Sequence, residues 1–417
     1  MRVVQTSELA LGLATLATLA TLATLVISTG ASAAQGTAAA KPQMDINFSL
    51  EVRHDTNVAR TNDVLATARG LKRADERVTP GIQVNVVRPL GRHTLSVNGF
   101  VGYDFYRHNT RLNRERIGIS ASAGINAGPC LLTLSPSIER RQSELNSVAF
   151  VNVPGVDSFK NTQTTQDYSA ELRCGRRTGL RPLARYERVI GDNSNALRRI
   201  SDFRSNKYSA GVGYTNPILG DFTVTYDRDN TSYPRRFSTG PNPFGGFHSD
   251  DVKITARRNI GSLIVANASL AYTHLRPQLS NVRSFNGLSW SLEATVRPTT
   301  RLSAELSFSN SVSPSLGAAA VYQRAQNVVL NATYALTPST SVKASVSHGR
   351  HRYEGASTIY GPLLTNDTLT RFSAGVSYWW NRKVQFNIDV GHERRNANGT
   401  IYDYSSSYIA LTTKYKL

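Results

Sequence analysis

The feature that most constrains this chain is a two-residue alternation of apolar and polar side chains, repeated in segments of about ten residues. The clearest segments are residues 288–297, 301–308, 371–378 and 384–390. A period of two specifies β-strands with two different faces. The second face consists of Ser, Gly, Asn, Thr and charged residues, which line a dry core poorly. The pattern therefore favours a barrel with an apolar exterior and a water-filled interior.

The connections between these segments alternate between short and long. The longer ones are residues 54–76, 142–165, 191–205, 231–248 and 350–366. Short periplasmic turns and long external loops produce this inequality in transmembrane barrels, whereas a soluble β-sandwich has shorter strands and more even connections. We predict an all-β fold, a transmembrane antiparallel up-and-down β-barrel of about 18 strands. Sixteen strands is the alternative if the irregular region 180–214 is misassigned, and either barrel is wide enough to enclose a channel.

Composition excludes two other classes of protein. Only 40% of the residues are hydrophobic, and beyond the first thirty no apolar run approaches the roughly 20 residues of a membrane helix. A helical membrane protein is therefore excluded beyond the N-terminus. The formal net charge is +19, but Lys and Arg are dispersed along the whole length. A nucleic-acid binder gathers such charge in one domain or tail, so no nucleic-acid partner is predicted.

The N-terminus carries an export signal. Arg2 precedes a long apolar stretch, residues 9–27, and Ala31-Ser32-Ala33 has the small-x-small pattern of a cleavage site. We expect residues 1–33 to be a signal peptide, with an uncleaved anchor as the alternative. Residues 34–44 then form a short leader, and residues 45–417 form the barrel. The predicted location is the outer membrane of a Gram-negative cell.

The last fourteen residues, 404–417, form an amphipathic strand that needs a partner, since an exposed strand edge invites aggregation. The first strand, residues 46–52, is the natural partner for closure. This segment resembles the terminal strand of Gram-negative outer-membrane barrels, which the barrel-assembly machinery recognises. That machinery is therefore an expected partner. Tyr415 matches the pattern, whereas Leu417 replaces the usual final aromatic residue.

The two cysteines, Cys130 and Cys174, lie beside short turns at the ends of the fifth and sixth predicted strands. Neighbouring strands bring these positions together at the periplasmic rim. We predict a disulfide, with two free thiols as the alternative. No histidine accompanies the pair, so no metal is predicted, and no cofactor is expected.

Four histidines lie on the apolar face at the ends of strands that run towards the long connections: His54, His274, His348 and His392. They should face outer-leaflet lipid, with several arginines close by. Our hypothesis is a collar that contacts lipopolysaccharide phosphates. The alternative is that polar aromatic groups simply belong at a membrane interface. No Ser or acid is placed to form a catalytic unit with them, so we predict that the protein is not an enzyme.

Strand parity also assigns a set of cations to the channel interior. They are Arg77, Arg116, Arg173, Lys253, Arg257, Arg297, Arg301, Lys343 and Arg371. Acidic residues share the same face, with a modest excess of bases. Cross-strand pairing accounts for many of these charges. The remainder would raise the local concentration of anions and favour their passage.

Two short motifs point to a known family. Residues 52–60, VRHDTNVAR, contain Asp-x-Asn-Val-x-Arg, and residues 170–175 read AELRCG. With the strand rhythm over residues 45–417, the chain resembles the outer-membrane β-barrel porins of type 2. Some members of that family are regarded as wide barrels for extracellular polysaccharide. The resemblance implies secretion of an acidic exopolysaccharide, with periplasmic export components as possible partners.

Two other functions stay open. One is a general diffusion porin for small anionic solutes. Its weakness is that the candidate inward loop, residues 142–165, has only Glu144 and Asp157 as acids, whereas general porins fold an acidic loop inward. The other is a structural or adhesive barrel that is shut by its loops.

Overall fold

The computed structural model describes residues 42–142, 145, 160–176, 178–236, 245–315, 320–355 and 364–417. Its strands form one sheet of 18, in which each strand pairs antiparallel with its neighbours in the chain and β1 pairs with β18. The predicted all-β barrel of 18 strands is confirmed. Within the described ranges, no helix is both long and apolar enough to cross a membrane.

The strands are 12 to 16 residues long, slightly more than the alternating segments alone indicated. Their bounds are β1 Gln43–Asp55, β2 Asp75–Leu90, β3 His93–Tyr106, β4 Arg114–Ala127, β5 Cys130–Gln142, β6 Thr162–Cys174, β7 Gly179–Asn193, β8 Phe203–Asn216, β9 Gly220–Ser232, β10 Gly246–Ile260, β11 Ile264–Pro277, β12 Phe285–Val296, β13 Leu302–Pro314, β14 Tyr322–Ala335, β15 Thr340–Glu354, β16 Asn366–Trp379, β17 Val384–Ala397 and β18 Tyr404–Lys416. One α-helix, α1 Asp63–Ala68, lies in the β1–β2 connection. Short 3-10 turns are Thr110–Leu112, Ala196–Ser201 and Thr400–Tyr402.

The irregular region 180–214 forms two full strands, β7 and β8. Their backbones pair from Gly179 opposite Thr215 to Gly191 opposite Phe203, so the 16-strand alternative does not hold. The proposed signal peptide, residues 1–33, lies outside the described residues. The strand β1 begins at Gln43, inside the segment that we assigned to a leader.

The barrel closes where β1 meets β18. Pairing runs from Asn47 opposite Lys416 to Asp55 opposite Tyr408. Beyond the last paired residues, the Leu417 N–H donates to the Ile46 carbonyl over 2.9 Å. The final amphipathic segment therefore pairs with the first strand, as its pattern indicates, and the sheet has no open edge at this seam.

The two faces of the wall are reversed relative to a soluble protein. Large apolar side chains point outward and stay exposed, among them Phe372 at 51% and Val390 at 47%. Polar side chains point inward and are buried, among them Glu51 at 2% and Thr412 at 0%. Such a surface is stable only where lipid covers the apolar belt, because exposed apolar side chains are unfavourable in water. A closed barrel is suited to the bilayer, since its backbone groups pair between strands.

Candidate functional site

The inner face around the closing seam carries linked ion pairs, here called the seam network: Glu51, Arg77, Asp104 and Arg116 on β1 to β4. Arg77 contacts the Glu51 carboxylate, and its Nε lies 3.7 Å from Asp104 Oδ1. Arg116 Nη1 lies 3.8 Å from Glu51 Oε2. The network alternates acids and bases across adjacent strands, so it braces the wall while its charges largely offset one another.

The motif Asp-x-Asn-Val-x-Arg folds the start of the β1–β2 connection. The Arg60 guanidinium donates to both oxygens of Asp55, over 3.2 Å and 3.0 Å. The Asn57 backbone N–H donates to Asp55 Oδ1 over 2.9 Å. Its side-chain amide donates to the carbonyls of Thr61, over 2.9 Å, and Ser405, over 3.1 Å. The motif thus makes a turn and ties it to β18, which is a structural role.

Arg60 extends this turn into the lumen wall. Its Nε lies 3.3 Å from Glu393 Oε1, and Glu393 also contacts Arg371 and accepts the Tyr404 hydroxyl over 2.6 Å. Burial by itself would lower the pKa of Arg60, but the carboxylates of Glu393 and Asp55 raise it above its ordinary value. Arg60 therefore stays charged and joins β1, β17 and β18 at the rim.

A second charged sector lies on β6 to β10. The Asp227 carboxylate, 1% exposed, sits between Lys253 Nζ at 3.0 Å and Lys207 Nζ at 3.5 Å. In the same sector, Arg185 pairs with Glu187 over 2.6 Å. Acids and bases again occur together on the inner wall.

The sector from β11 to β15 is lined mainly by uncharged polar groups. Ser269 bonds Ser291 over 2.8 Å, and Thr273 bonds Ser289 over 3.0 Å. Further on, the Ser345 hydroxyl donates to Asn331 over 2.7 Å. One side of the lumen is thus rich in charge and the other is rich in hydroxyl and amide groups.

The predicted lumen cations divide into two groups. The first group lies within ion-pair distance of inward-facing carboxylates: Arg77, Arg116, Arg173, Lys253 and Arg371. Four of them make the contacts described above, and Arg173 pairs with Glu171 on the same strand, β6. Most of the charge that strand parity places inside the barrel is therefore matched locally.

The second group has a different setting. Arg257 and Lys343 lie on inward positions of β10 and β15, opposite Asp221 and Gly375. Arg297 and Arg301 lie outside the strands, exposed in the short turn that joins β12 to β13. We predicted an inward direction for both because the alternation continues into the turn. In the structure, β12 ends before Arg297 and β13 begins after Arg301.

The long connections meet above the lumen and form what we call the loop layer, the described residues 56–74, 107–113, 145, 194–202, 233–236, 278–284, 320–321 and 398–403. The Tyr233 hydroxyl donates to the Val321 carbonyl over 2.6 Å. The Arg236 guanidinium donates to the carbonyls of Ala320, over 3.1 Å, and Ile200, over 3.4 Å. These residues come from connections several strands apart, and strands are spaced about 4.8 Å apart. The connections must therefore lean inward over the mouth.

Helix α1 anchors one side of the loop layer. Asn62 caps it by accepting the Leu65 N–H over 2.9 Å, as an N-cap residue does. Ala66 is buried in a cluster with Ala59, Leu71, Leu112 and Leu145. This packing fixes the residue that follows the helix, Arg69.

Arg69 and Arg198 bring positive charge into the buried part of the loop layer. Arg69 is 1% exposed and donates to the Ala59 and Leu145 carbonyls, each over 3.4 Å. Arg198 is 7% exposed. Burial lowers the pKa of Arg69 to about 10. Burial, together with the positive charge of Arg69, lowers the pKa of Arg198 to about 9.

Sequence reasoning did not single out Arg69 or Arg198. Both lie in irregular connections, where no period marks the direction of a side chain. The signal that was present is the Asp-x-Asn-Val-x-Arg motif, which predicts an ordered start to the β1–β2 connection but not how far it reaches.

The predicted disulfide is confirmed. Cys130 and Cys174 face each other on β5 and β6, with their Cα atoms 4.0 Å apart. They share the strand face of Leu132 and Leu172, which is the outward face. The bond therefore lies at the short-turn rim, outside the lumen.

The four histidines lie at the loop end of the strands β1, β11, β15 and β17, and all are exposed or partly exposed on the outward face. Each contacts a side chain of the next strand: His54 with Glu76, His274 with Asn286, His348 with Thr370 and His392 with Ser407. The structure differs from our expectation in two respects. An acid lies beside His54, since Glu76 Oε1 is 3.3 Å from its Nδ1. Two serines flank His392, since Ser407 Oγ lies 2.9 Å from Nδ1 and Ser405 Oγ lies 3.4 Å from Nε2.

A further group at the loop end consists of Asp75, Glu76 and His108, whose potential ligand atoms lie within 4.8 Å of one another. The Asp75 carboxylate accepts backbone N–H bonds from His108, over 3.0 Å, and Asn109, over 2.7 Å. Glu76 lies 3.4 Å from Arg107. These contacts join the start of β2 to the end of β3, so the group acts as a brace of the hairpin.

No protein-family model matches the chain, and no curated protein matches it. Solved structures of similar shape include OccK2 (OpdF) of Pseudomonas aeruginosa, at 10% identity over 90% of this chain and 98% of that chain, with a TM-score of 0.44. The same protein in complex with glucuronate gives a TM-score of 0.45 at 10% identity, with the same coverage. OccAB3 of Acinetobacter baumannii gives 0.42 at 8% identity, over 90% of this chain and 99% of that one.

Likeness at this level does not show a family, so the class of the protein follows from the barrel itself. A closed, even-numbered antiparallel barrel with an apolar exterior, a polar interior and unequal connections is the architecture of bacterial outer-membrane proteins. The protein is a porin-like β-barrel of the Gram-negative outer membrane. The relation to exopolysaccharide-export barrels gains no support.

Proposed function

We propose that this barrel is a diffusion channel for small anionic solutes. The observation that carries the proposal is the pair of buried arginines in the loop layer, Arg69 and Arg198, one from the β1–β2 connection and one from the β7–β8 connection. A solute that crosses the mouth must pass this layer. Buried guanidinium groups attract carboxylates and phosphates strongly, because little water screens them.

The charge balance of the loop layer supports an anionic solute. Its described acids are Asp63, Asp202 and Asp403, and arginines and lysines outnumber them. The inner wall differs, since most of its predicted bases, among them Arg77, Lys253 and Arg371, lie within ion-pair distance of an acid. Selectivity is therefore expected from the mouth, whereas the wall supplies a polar, nearly balanced surface.

The packing of the loop layer supports a small solute. Ala59, Tyr233, Ala320 and Val321 are fully buried, so the connections pack against one another as well as against the wall. A polysaccharide exporter must pass a chain of sugar rings through the mouth. The packed layer favours the small-solute function over polysaccharide export.

The test is ion selectivity in planar bilayers across a KCl gradient. We expect wild-type protein to be anion-selective, and R69Q/R198Q to lose most of that preference. R69K/R198K keeps both charges and should stay selective. R297Q/R301Q removes the same charge from the exposed β12–β13 turn and should behave as wild type.

Two outcomes would contradict the proposal. Cation selectivity of the wild-type channel would remove the role of the loop arginines. Absence of any conductance would instead favour the structural barrel that is shut by its loops.

A further inference from the structure

The outward face at the loop end of β14 to β17 carries a cluster of bases, here called the rim patch: Arg324, His348, Arg350, Arg352 and Arg394. They share strand faces with the exposed apolar residues Val328, Val346 and Val390. The outward surface of these four strands therefore changes from apolar to basic towards the loops.

The residues of the rim patch are neighbours across strands. Arg324 lies directly opposite Arg352, and Thr370 lies opposite both His348 and Arg394. Arg350 and Arg394 are exposed, and the Arg352 side chain is 63% exposed. Like charges directly opposite each other on a sheet are unfavourable, so an anion that bridges them would stabilise the patch.

The rim patch has a strong excess of positive charge. On the outward positions of these four strands, Glu354 is the one carboxylate among the described residues, and it lies 3.2 Å from Arg352 Nε. Arg394 donates to the Asn396 amide oxygen over 3.2 Å, and Arg324 lies 4.8 Å from the centre of the Phe285 ring. Both partners are neutral, and among the described residues no carboxylate lies at ion-pair distance from Arg324 or Arg394.

Two other clusters on the outward rim differ. Asp250 lies between Arg276, at 3.3 Å, and Arg228, at 3.9 Å. Glu76 lies between His54, at 3.3 Å, and Arg107, at 3.4 Å. The bases of these two clusters have acids beside them, unlike most bases of the rim patch.

We propose that the rim patch binds the phosphorylated headgroup of outer-leaflet lipopolysaccharide. The patch lies directly above the apolar belt, at the level where lipid headgroups meet the loops. Arginine forks bind phosphate with two parallel hydrogen bonds, and the apolar belt below accommodates acyl chains. The proposal replaces an even collar of four histidines with a single arc, to which His348 belongs.

The test uses delipidated protein in detergent and measures binding of diphosphorylated lipid A by native mass spectrometry. R350Q/R394Q should weaken binding by at least about tenfold, since hydrogen bonds to charged groups are lost. R228Q/R276Q makes the same charge change on the arc that contains Asp250 and should bind as wild type. R350K/R394K keeps the charge but not the fork, and should show an intermediate loss.

Three outcomes would overturn the proposal. One is equal binding by R350Q/R394Q and wild type. Another is equal binding of dephosphorylated lipid A, and the third is equally tight binding of phosphatidylglycerol. Channel conductance of R350Q/R394Q should equal that of wild type, which separates this proposal from the channel function and shows that the variant is folded.

Discussion

At Arg60 the backbone and the side chain have opposite preferences. Its φ is +51°, a left-handed conformation that costs a non-glycine residue about 1 kcal/mol or more. Its guanidinium nevertheless bonds the buried carboxylate of Asp55 and the partly buried carboxylate of Glu393. The ion pairs outweigh the backbone cost, which explains why an arginine rather than a glycine closes the Asp-x-Asn-Val-x-Arg motif.

This balance predicts the outcome of two substitutions. R60A should lower the free energy of unfolding by about 2 kcal/mol, because its hydrogen bonds to two carboxylates are lost. Asp55 keeps Arg53 as a partner and Glu393 keeps Arg371, so neither acid is left uncompensated. R60G loses the same ion pairs but relieves the left-handed strain, so it should be less damaging by about 1 kcal/mol. Denaturant unfolding of the folded barrel in detergent measures both values. Equal stability of R60A and wild type would contradict the role of the ion pairs.

At the scale of elements, the β5–β6 hairpin is the part of the barrel with a covalent tie. The disulfide joins Cys130 to Cys174, 44 residues apart, at the short-turn end. The connection between the two strands lies at the opposite end. The bond therefore limits separation of the strands at the rim that lacks a loop layer.

We expect C130S/C174S to unfold at a lower temperature than wild type. The chain-entropy argument sets the loss at no more than about 4 kcal/mol, because the loop in the unfolded chain is closed by the bond. Adding reductant should destabilise wild type but leave C130S/C174S unchanged. Ion selectivity should not change, because both cysteines face outward. A change in selectivity would show that the bond affects the lumen.

For the whole molecule, the packed loop layer predicts a sharp limit on solute size. Liposome swelling should show rapid entry of small organic anions and slower entry of an uncharged solute of the same size. Acidic oligosaccharides should enter far more slowly, because the described connections lean inward over the mouth and pack against one another. Rapid entry of the oligosaccharides would contradict this limit and would favour the polysaccharide-export hypothesis.

The parts that the sequence predicted are those on which lipid and water impose a period. Successive side chains of a strand face lipid and water in turn, so they must be apolar and polar in turn. The alternation at 302–308 or 384–390 therefore reveals both the strand and its faces. The cysteine positions follow from the same strand order. Arg297 and Arg301 show the limit, since the alternation continues in the sequence after the strand has ended.

The contacts of the loop layer could not be predicted in this way. Tyr233 bonds Val321, and Arg236 bonds Ala320, across connections that are distant in the chain. No local pattern encodes such pairs, because they depend on how far each connection leans over the lumen. The rim patch could be predicted only in part. Its outward direction follows from parity, but its excess of charge appears only when four neighbouring strands are compared.

The seam between β1 and β18 has a consequence for the time course of folding. Its paired residues, such as Asn47 and Lys416, lie almost the whole barrel sequence apart. Closing so long a loop carries a large entropic cost that no local contact can repay early, so this pairing should be the slowest step. Until it forms, the outer edges of β1 and β18 have no partner. An assembly factor that covers unpaired strand edges would therefore be needed longest at the junction of β1 and β18.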